Sequence, residues 1–201
     1  MSFVQRPGFE YMDLDDFEEY LADKPEHEKW ELIGGRVVKL MVGAQIQHHR
    51  VVRNLAFELE AKLRARGSDC DVFSETFWLK ERFLSLAVFP DIMVQCGLPE
   101  DSDDTALNAP VVLVEVISPG SRNRDFGDKW DLYRRLPSLH HYLMIDRDRP
   151  IVDVLDRADS SSWTGPRRVA GIDSTIALPA LAIEIPIAAI YRRTAAAKRE
   201  S

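Results

Sequence analysis

Residues Val111-Val112-Leu113-Val114-Glu115-Val116-Ile117 set six apolar side chains around one carboxylate. A strand that meets water on one side alternates polar and apolar positions, whereas a run without alternation is covered on both faces. The chain must therefore supply a layer above and a layer below a sheet, and 201 residues suffice to do so within one domain. Glu115 is buried by the same logic. Ionised and unpaired it costs several kcal/mol, so a metal, a basic side chain or a proton has to compensate it.

The other elements follow from periodicity. Asp13 caps an amphipathic helix over residues 13–23 that ends before Pro25. Trp30 to Ile33 and Arg36 to Val42 flank Gly34-Gly35, a two-residue hairpin signal. Ile46, Val52, Leu55, Leu59 and Leu63 mark a second helix, closed by Gly67. Asp71 to Leu79 and Leu86 to Gln95 read as strands, the latter broken by Pro90 at an edge, bulge or bend. A helix from about Asp125 to Leu136 stops at Pro137, and His141 to Asp146 and Ile151 to Asp156 form two further strands. A short hairpin around Gly165-Pro166, a helix near Ile187 to Arg193 and a disordered tail from about residue 194 complete a single domain over 1–201. Strands grouped between helices give an α/β or α+β sheet packed by helices.

Net charge is −7, which taken whole argues against nonspecific nucleic-acid binding. The acid is concentrated, however. Residues 10–31 hold ten acids against Lys24 and Lys29, and Glu100, Asp101, Asp103 and Asp104 crowd a polar loop, which leaves the rest of the chain net positive and able to present a basic face. Cys70 and Cys96 are too few and too unpatterned for a disulfide framework or a zinc site. With neither a membrane span nor a signal peptide in the pattern, a reducing cytoplasm is the expected location.

Candidate chemistry lies around Glu115. Asp91 sits in Leu86-Ala87-Val88-Phe89-Pro90-Asp91-Ile92-Met93-Val94 and by itself reads as a turn residue. Two carboxylates on separate buried strands, one beside a strand-bending proline, together meet the demands of a Mg²⁺ site: few, rigid, hard oxygen ligands. Glu31 alternates with Trp30 and Leu32, and solvent exposure accounts for it. Lys129 lies beside an apolar stripe of Phe126, Trp130 and Tyr133, as a solvated helix edge pairing with Asp125 or as a site residue. Arg122 and Arg124, in the loop before this helix, suit phosphate binding or simple solubility.

Pro90-Asp91, then Glu115-Val116-Ile117-Ser118-Pro119, Asp125, Lys129, Tyr133, Tyr142 and Asp146 follow an order and spacing that resembles the Uma-type putative restriction endonucleases, of the PD-(D/E)xK nuclease superfamily. The likeness extends upstream to Trp30-Glu31-Leu32-Ile33-Gly34-Gly35 and His48. In the superfamily pattern a lysine stands two residues after the glutamate; here that position is Ile117. The resemblance implies that the lysine has moved to the following helix as Lys129. It further implies a restriction-endonuclease-like central mixed β-sheet flanked by helices, a homodimer, and action on DNA with Mg²⁺ or Mn²⁺. Asp91 and Glu115 would hold the metal with the Val116 carbonyl, Lys129 would orient water or stabilise phosphorane charge, Glu31 would complete a second metal position or orient a water, and His48 would line the cleft with Arg122 and Arg124 on the nucleic acid. The family's Gly-Val-Pro-Glu-Tyr-Trp segment reads Ser138-Leu139-His140-His141-Tyr142-Leu143 here, a departure outside the acids.

Three activities fit this reading: a metal-dependent endonuclease, a nuclease-fold protein that binds nucleic acid or a partner without cutting, and a phosphoesterase for small substrates. A lysine salt-bridged to Glu115 without room for metal favours the second, and a narrow pocket the third.

Overall fold

The computed structural model describes residues 11–25, 27–40, 45–74, 76–99, 105–117 and 125–198. Its helices are α1 (Leu14–Ala22), α2 (Ile46–Ala65), and the short α3 (Trp130–Tyr133) and α4 (Ile187–Ile190). Its strands are β1 (Lys29–Ile33), β2 (Arg36–Leu40), β3 (Cys70–Ser74), β4 (Trp78–Glu81), β5 (Leu86–Val88), β6 (Ile92–Cys96), β7 (Ala106–Leu107), β8 (Val112–Ile117), β9 (His141–Asp146), β10 (Ile151–Asp156), β11 (Arg167–Ala170), β12 (Thr175–Leu178) and β13 (Ile183–Pro186).

Two sheets are built from these strands. A six-stranded mixed sheet runs β11-β10-β9-β8-β6-β3, and a five-stranded sheet runs β2-β1-β5-β4-β7, with β12-β13 as a separate hairpin. The apolar run is a central strand, antiparallel to β6 and parallel to β9. Its side chains divide by parity. Val112, Val114 and Val116 pack with Val51, Val52, Leu55, Leu59 and Leu63 of α2, while Leu113 and Ile117 pack with Leu79, Leu86 and Val88 of the five-stranded sheet. The two covering layers required by the sequence are therefore a helix on one face and a second sheet on the other. Helix α1 closes the far side of that second sheet through Leu14 and Phe17 against Leu32 and Ala87.

Local signals explain the connections. Asp13 accepts the Asp16 N–H at 2.9 Å as the cap of α1. Gly34 (φ +57°) and Gly35 (φ +82°) make the left-handed turn of the β1-β2 hairpin, and a Cβ on Gly35 would lie 2.8 Å from the Tyr11 ring. Pro90-Asp91 is the point at which the chain leaves the five-stranded sheet at Val88 and enters the six-stranded one at Ile92.

Several expectations are corrected. The strand expected over Asp71 to Leu79 is two strands in different sheets, because the chain changes layer between Ser74 and Trp78. The helix expected from Asp125 to Leu136 is a π-type turn over Asp125–Lys129 followed by the single turn of α3. No hairpin turns on Gly165-Pro166; Arg167–Ala170 returns along β10, and the β12-β13 hairpin has no counterpart among the expected elements. Described structure continues to Lys198, with Thr194 and Ala196 buried, past the point where a disordered tail was expected. Cys70 and Cys96, read as too few and too unpatterned for a disulfide framework, are joined by a disulfide. Met41-Val42, the loop acids Glu100 to Asp104, Ser118 to Gly120, Arg122 and Arg124 lie outside the described residues.

Candidate active site

The candidate site occupies the seam between the two sheets. Glu115 takes the odd-numbered parity of β8, on the face toward the five-stranded sheet. Glu31 shares a face of β1 with Ile33, which belongs to that same interlayer core. Parity correctly puts Glu31 opposite Trp30 and Leu32. The expected solvent exposure is wrong, because the face it takes is covered by a second sheet, and the residue is 1% exposed.

Lys129 joins the two acids. Its ammonium donates to Glu31 Oε1 at 3.2 Å and to Glu115 Oε1 at 3.1 Å, and all three residues are buried. The solvated-edge reading of Lys129 is therefore set aside. The π-type turn carries the chain to Lys129, after which α3 places Tyr133 four residues on and on the same side. Tyr133 donates its hydroxyl to Glu115 Oε1 at 2.9 Å. Burial first, and then the charge of Glu115, push the Tyr133 phenol well above its ordinary value of 10.0, so it stays a donor. Tyr133 was placed in an apolar stripe and among the residues that carry the family resemblance, but was given no site role; its spacing from Lys129 was the available signal.

Asp91 approaches from the strand junction. One rung beyond the Ile92–Val114 pair the register sets Asp91 opposite Glu115. Beyond it Pro90 has no N–H with which to continue the ladder, and the Val116 N–H donates to Asp91 Oδ2 at 2.6 Å. The backbone of Val116 thus meets the site through its N–H. Phe89, on the other side of the proline, donates its N–H to Glu31 Oε1 at 2.9 Å. The bend expected from Pro90 therefore serves both acids.

His48, in the first turn of α2, places Nε2 3.2 Å from Asp91 Oδ1. The structure brings His48 to a site carboxylate. Side-chain exposure rises from 1% at Glu31 through 8% at Glu115 to 17% at Asp91 and 23% at His48, so the site is entered from the Asp91–His48 end.

The arrangement gathers carboxylates, one ammonium, one phenol and one imidazole at a strand break. Its carboxylate oxygens are donors of the kind that hard divalent cations take. Among the described residues Glu31, Asp91 and Glu115 do not form a group with all ligand atoms within 4.8 Å; the group that does is Asp69, Cys70 and Cys96. No helix among the described residues is long and apolar enough to cross a membrane.

Comparison with known proteins agrees with this architecture. Two uncharacterised proteins of Synechocystis sp. are 28% and 27% identical over 148 residues, covering 72% and 73% of this chain and 82% and 76% of theirs. A crystal structure from Anabaena variabilis, titled a putative nuclease belonging to DUF820, superposes with a TM-score of 0.70 at 17% identity, covering 89% of this chain and 97% of that one, and so shares the fold. Residues 14–188 match the family described as Uma2, putative restriction endonuclease, and the chain belongs to that family.

Proposed function

We propose that the protein is a divalent-metal-dependent DNA endonuclease whose lysine is supplied by the π-type turn. The observation that carries this reading is the convergence of Asp91, opposite Glu115 in the β6-β8 register, with Lys129 Nζ, which stands 3.1 Å from Glu115 and 3.2 Å from Glu31. With Ile117 in the strand position of the superfamily lysine, a cation can reach Glu115 only from a neighbouring element, and Lys129 does so. Mg²⁺ characteristically takes one or two carboxylates and keeps its remaining positions for water and substrate phosphate, which suits Asp91 and Glu115 as the pair that would hold it. When bound, the metal would polarise the scissile phosphate and lower the pKa of an attacking water.

The roles of the chain's own groups follow from their contacts. Lys129 orients the nucleophile and offsets charge developing on the phosphoryl oxygens. Glu31 holds that ammonium from behind, and Tyr133 fixes the Glu115 carboxylate from its own side. His48 and the Val116 N–H orient Asp91. Arg122 and Arg124, which lie between β8 and the π-type turn in sequence, complete the reading as phosphate contacts.

A second reading, a nuclease-fold protein that binds without cutting, is favoured by the same contact. The Lys129 ammonium already compensates Glu31 and Glu115 in the way a cation would. Calorimetric titration with Mn²⁺ separates the two. The endonuclease reading expects Mn²⁺ binding that weakens at least about tenfold in Glu115→Gln, the order of effect expected when a metal site loses part of its support. Equal affinity in the two proteins would move the metal elsewhere and favour the binder.

A further inference from the structure

We propose a second cation site at the other end of β6, formed by Cys70, Cys96 and Asp69, that takes a thiophilic divalent metal of the zinc class only when the disulfide is reduced. Cys70 and Cys96 are 26 residues apart in sequence, and no metal-ligand spacing announces them. The fold makes them direct cross-strand partners at the first rung of the β3-β6 pair. The Asp69 carbonyl accepts the Gly97 N–H at 3.1 Å, which extends the same ladder by one residue and fixes the aspartate beside the sulfurs. One ligand atom from each of the three residues lies within 4.8 Å of the others, and Asp69 Oδ1 is 4.0 Å from Cys70 Sγ.

The two cysteines are close enough for both sulfurs to reach one metal ion. Tetrahedral zinc with sulfur at roughly 2.3 Å spaces two thiolates about 3.7 Å apart. The Cα atoms of Cys70 and Cys96 are 3.8 Å apart, and the Cβ atoms of a disulfide are roughly 3.5–4.5 Å apart, so rotation about the Cα–Cβ bonds opens the two sulfurs from disulfide toward chelate spacing. Strand β3 is the edge of its sheet and Asp69 is exposed, so an ion has access from solvent.

A cavity of about 820 Å³ adjoins the cysteines and is lined in part by Arg66, His140 and His141. His141 is engaged through both nitrogens, with Asp156 Oδ1 at 2.8 Å from Nδ1 and the Ala180 N–H donating to Nε2 at 3.1 Å. The exposed His140, or a water in the cavity, is left for the fourth position. The two ends of β6 then differ in ligand softness: carboxylate oxygen at Asp91 suits Mg²⁺ or Mn²⁺, and thiolate at Cys96 suits zinc-class ions. Five residue steps separate them, about 16 Å at ~3.3 Å per residue, so the sites are independent.

Disulfide and metal exclude one another. A dithiol reductant gives two electrons and two protons to the Cys70–Cys96 bond, becoming a disulfide itself and leaving two thiols. Metal binding then expels the two thiol protons.

The test is a Co²⁺ titration of the full chain, fully reduced and under anaerobic conditions, read by absorbance. The proposal expects a thiolate-to-Co²⁺ charge-transfer band and tetrahedral d–d bands that saturate at one equivalent and are bleached by Zn²⁺. Cys70→Ser or Cys96→Ser should abolish the charge-transfer band, and oxidised protein should show none. Asp69→Asn, an exposed change that leaves the core untouched, should weaken Co²⁺ at least about tenfold. No thiolate band in the reduced wild type, or wild-type Co²⁺ affinity in Cys96→Ser or Asp69→Asn, would overturn the site.

Discussion

Glu115 and Asp153 occupy the same six-stranded sheet, each an acid within an apolar strand and each 6% exposed. Their compensation differs. Asp153 faces Arg168 across one rung of the β10-β11 pair and is held in a two-point contact at 2.7 and 2.8 Å by a guanidinium whose side chain is 57% exposed. Glu115 meets a buried ammonium from a separate turn, and that ammonium is shared with Glu31 of another sheet. A buried acid in a strand therefore does not by itself mark a functional site. What sets Glu115 apart is compensation assembled from distant elements, where Asp153 is satisfied by one local guanidinium.

The largest expected effect breaks the inner half of this comparison. Lys129→Met leaves Glu31 and Glu115 facing one another in the interlayer without their cation, which should cost about 3–5 kcal/mol of unfolding free energy at pH 7. Urea denaturation measures it, and the loss should shrink when Glu115→Gln is added, since the second substitution removes one of the stranded charges.

A smaller, pH-dependent effect belongs to His141. Burial lowers its pKa below the ordinary 6.5 against the opposing pull of Asp156. The ring accepts the Ala180 N–H at Nε2, so protonation there would set two donors against each other. The unfolded chain thus binds the proton more readily than the folded one. Stability should be fully present above about pH 6.5 and fall as the pH drops below it, by at most about 1.4 kcal/mol per pH unit for this group. Thermal unfolding between pH 7.5 and 5 should show that slope, and it should flatten in His141→Gln.

The smallest effect belongs to Arg168→Ala. Asp153 then opens onto water at the sheet edge formed by β11, and Tm should fall by no more than about 4 °C. A loss as large as that of Lys129→Met would dissolve the distinction between the two acids.

Much of this was legible in the sequence, for identifiable reasons. The unbroken apolar character of 111–117 dictated two covering layers, and both are present. Pro90 announced a break, and the break is where β5 and β6 part company. The sequence does not reveal that the second layer is itself a sheet, which is why alternation alone left Glu31 to solvent although its parity was right, and only the family resemblance drew it to the site. Strand periodicity says which residues share a face and leaves open what that face meets. The contact of Tyr133 was hidden for a related reason: an aromatic in an apolar stripe, even at a motif position, carries no sign that its hydroxyl ends on a carboxylate. The pairing of Cys70 with Cys96 depends on the β3-β6 register, which local pattern does not encode.

The proposed role of Lys129 is to serve the chemistry of the Asp91–Glu115 site from outside the strand. The most direct measurement is supercoiled-plasmid nicking by wild type and Lys129→Met, each with Mg²⁺, with Mn²⁺ and with EDTA, at a temperature where circular dichroism shows both folded. Wild type should nick in a reaction that EDTA abolishes, and Lys129→Met should nick at least about a hundredfold more slowly while Mn²⁺ binding persists. Wild-type nicking by Lys129→Met, or no metal-dependent nicking by the wild type, would contradict that role.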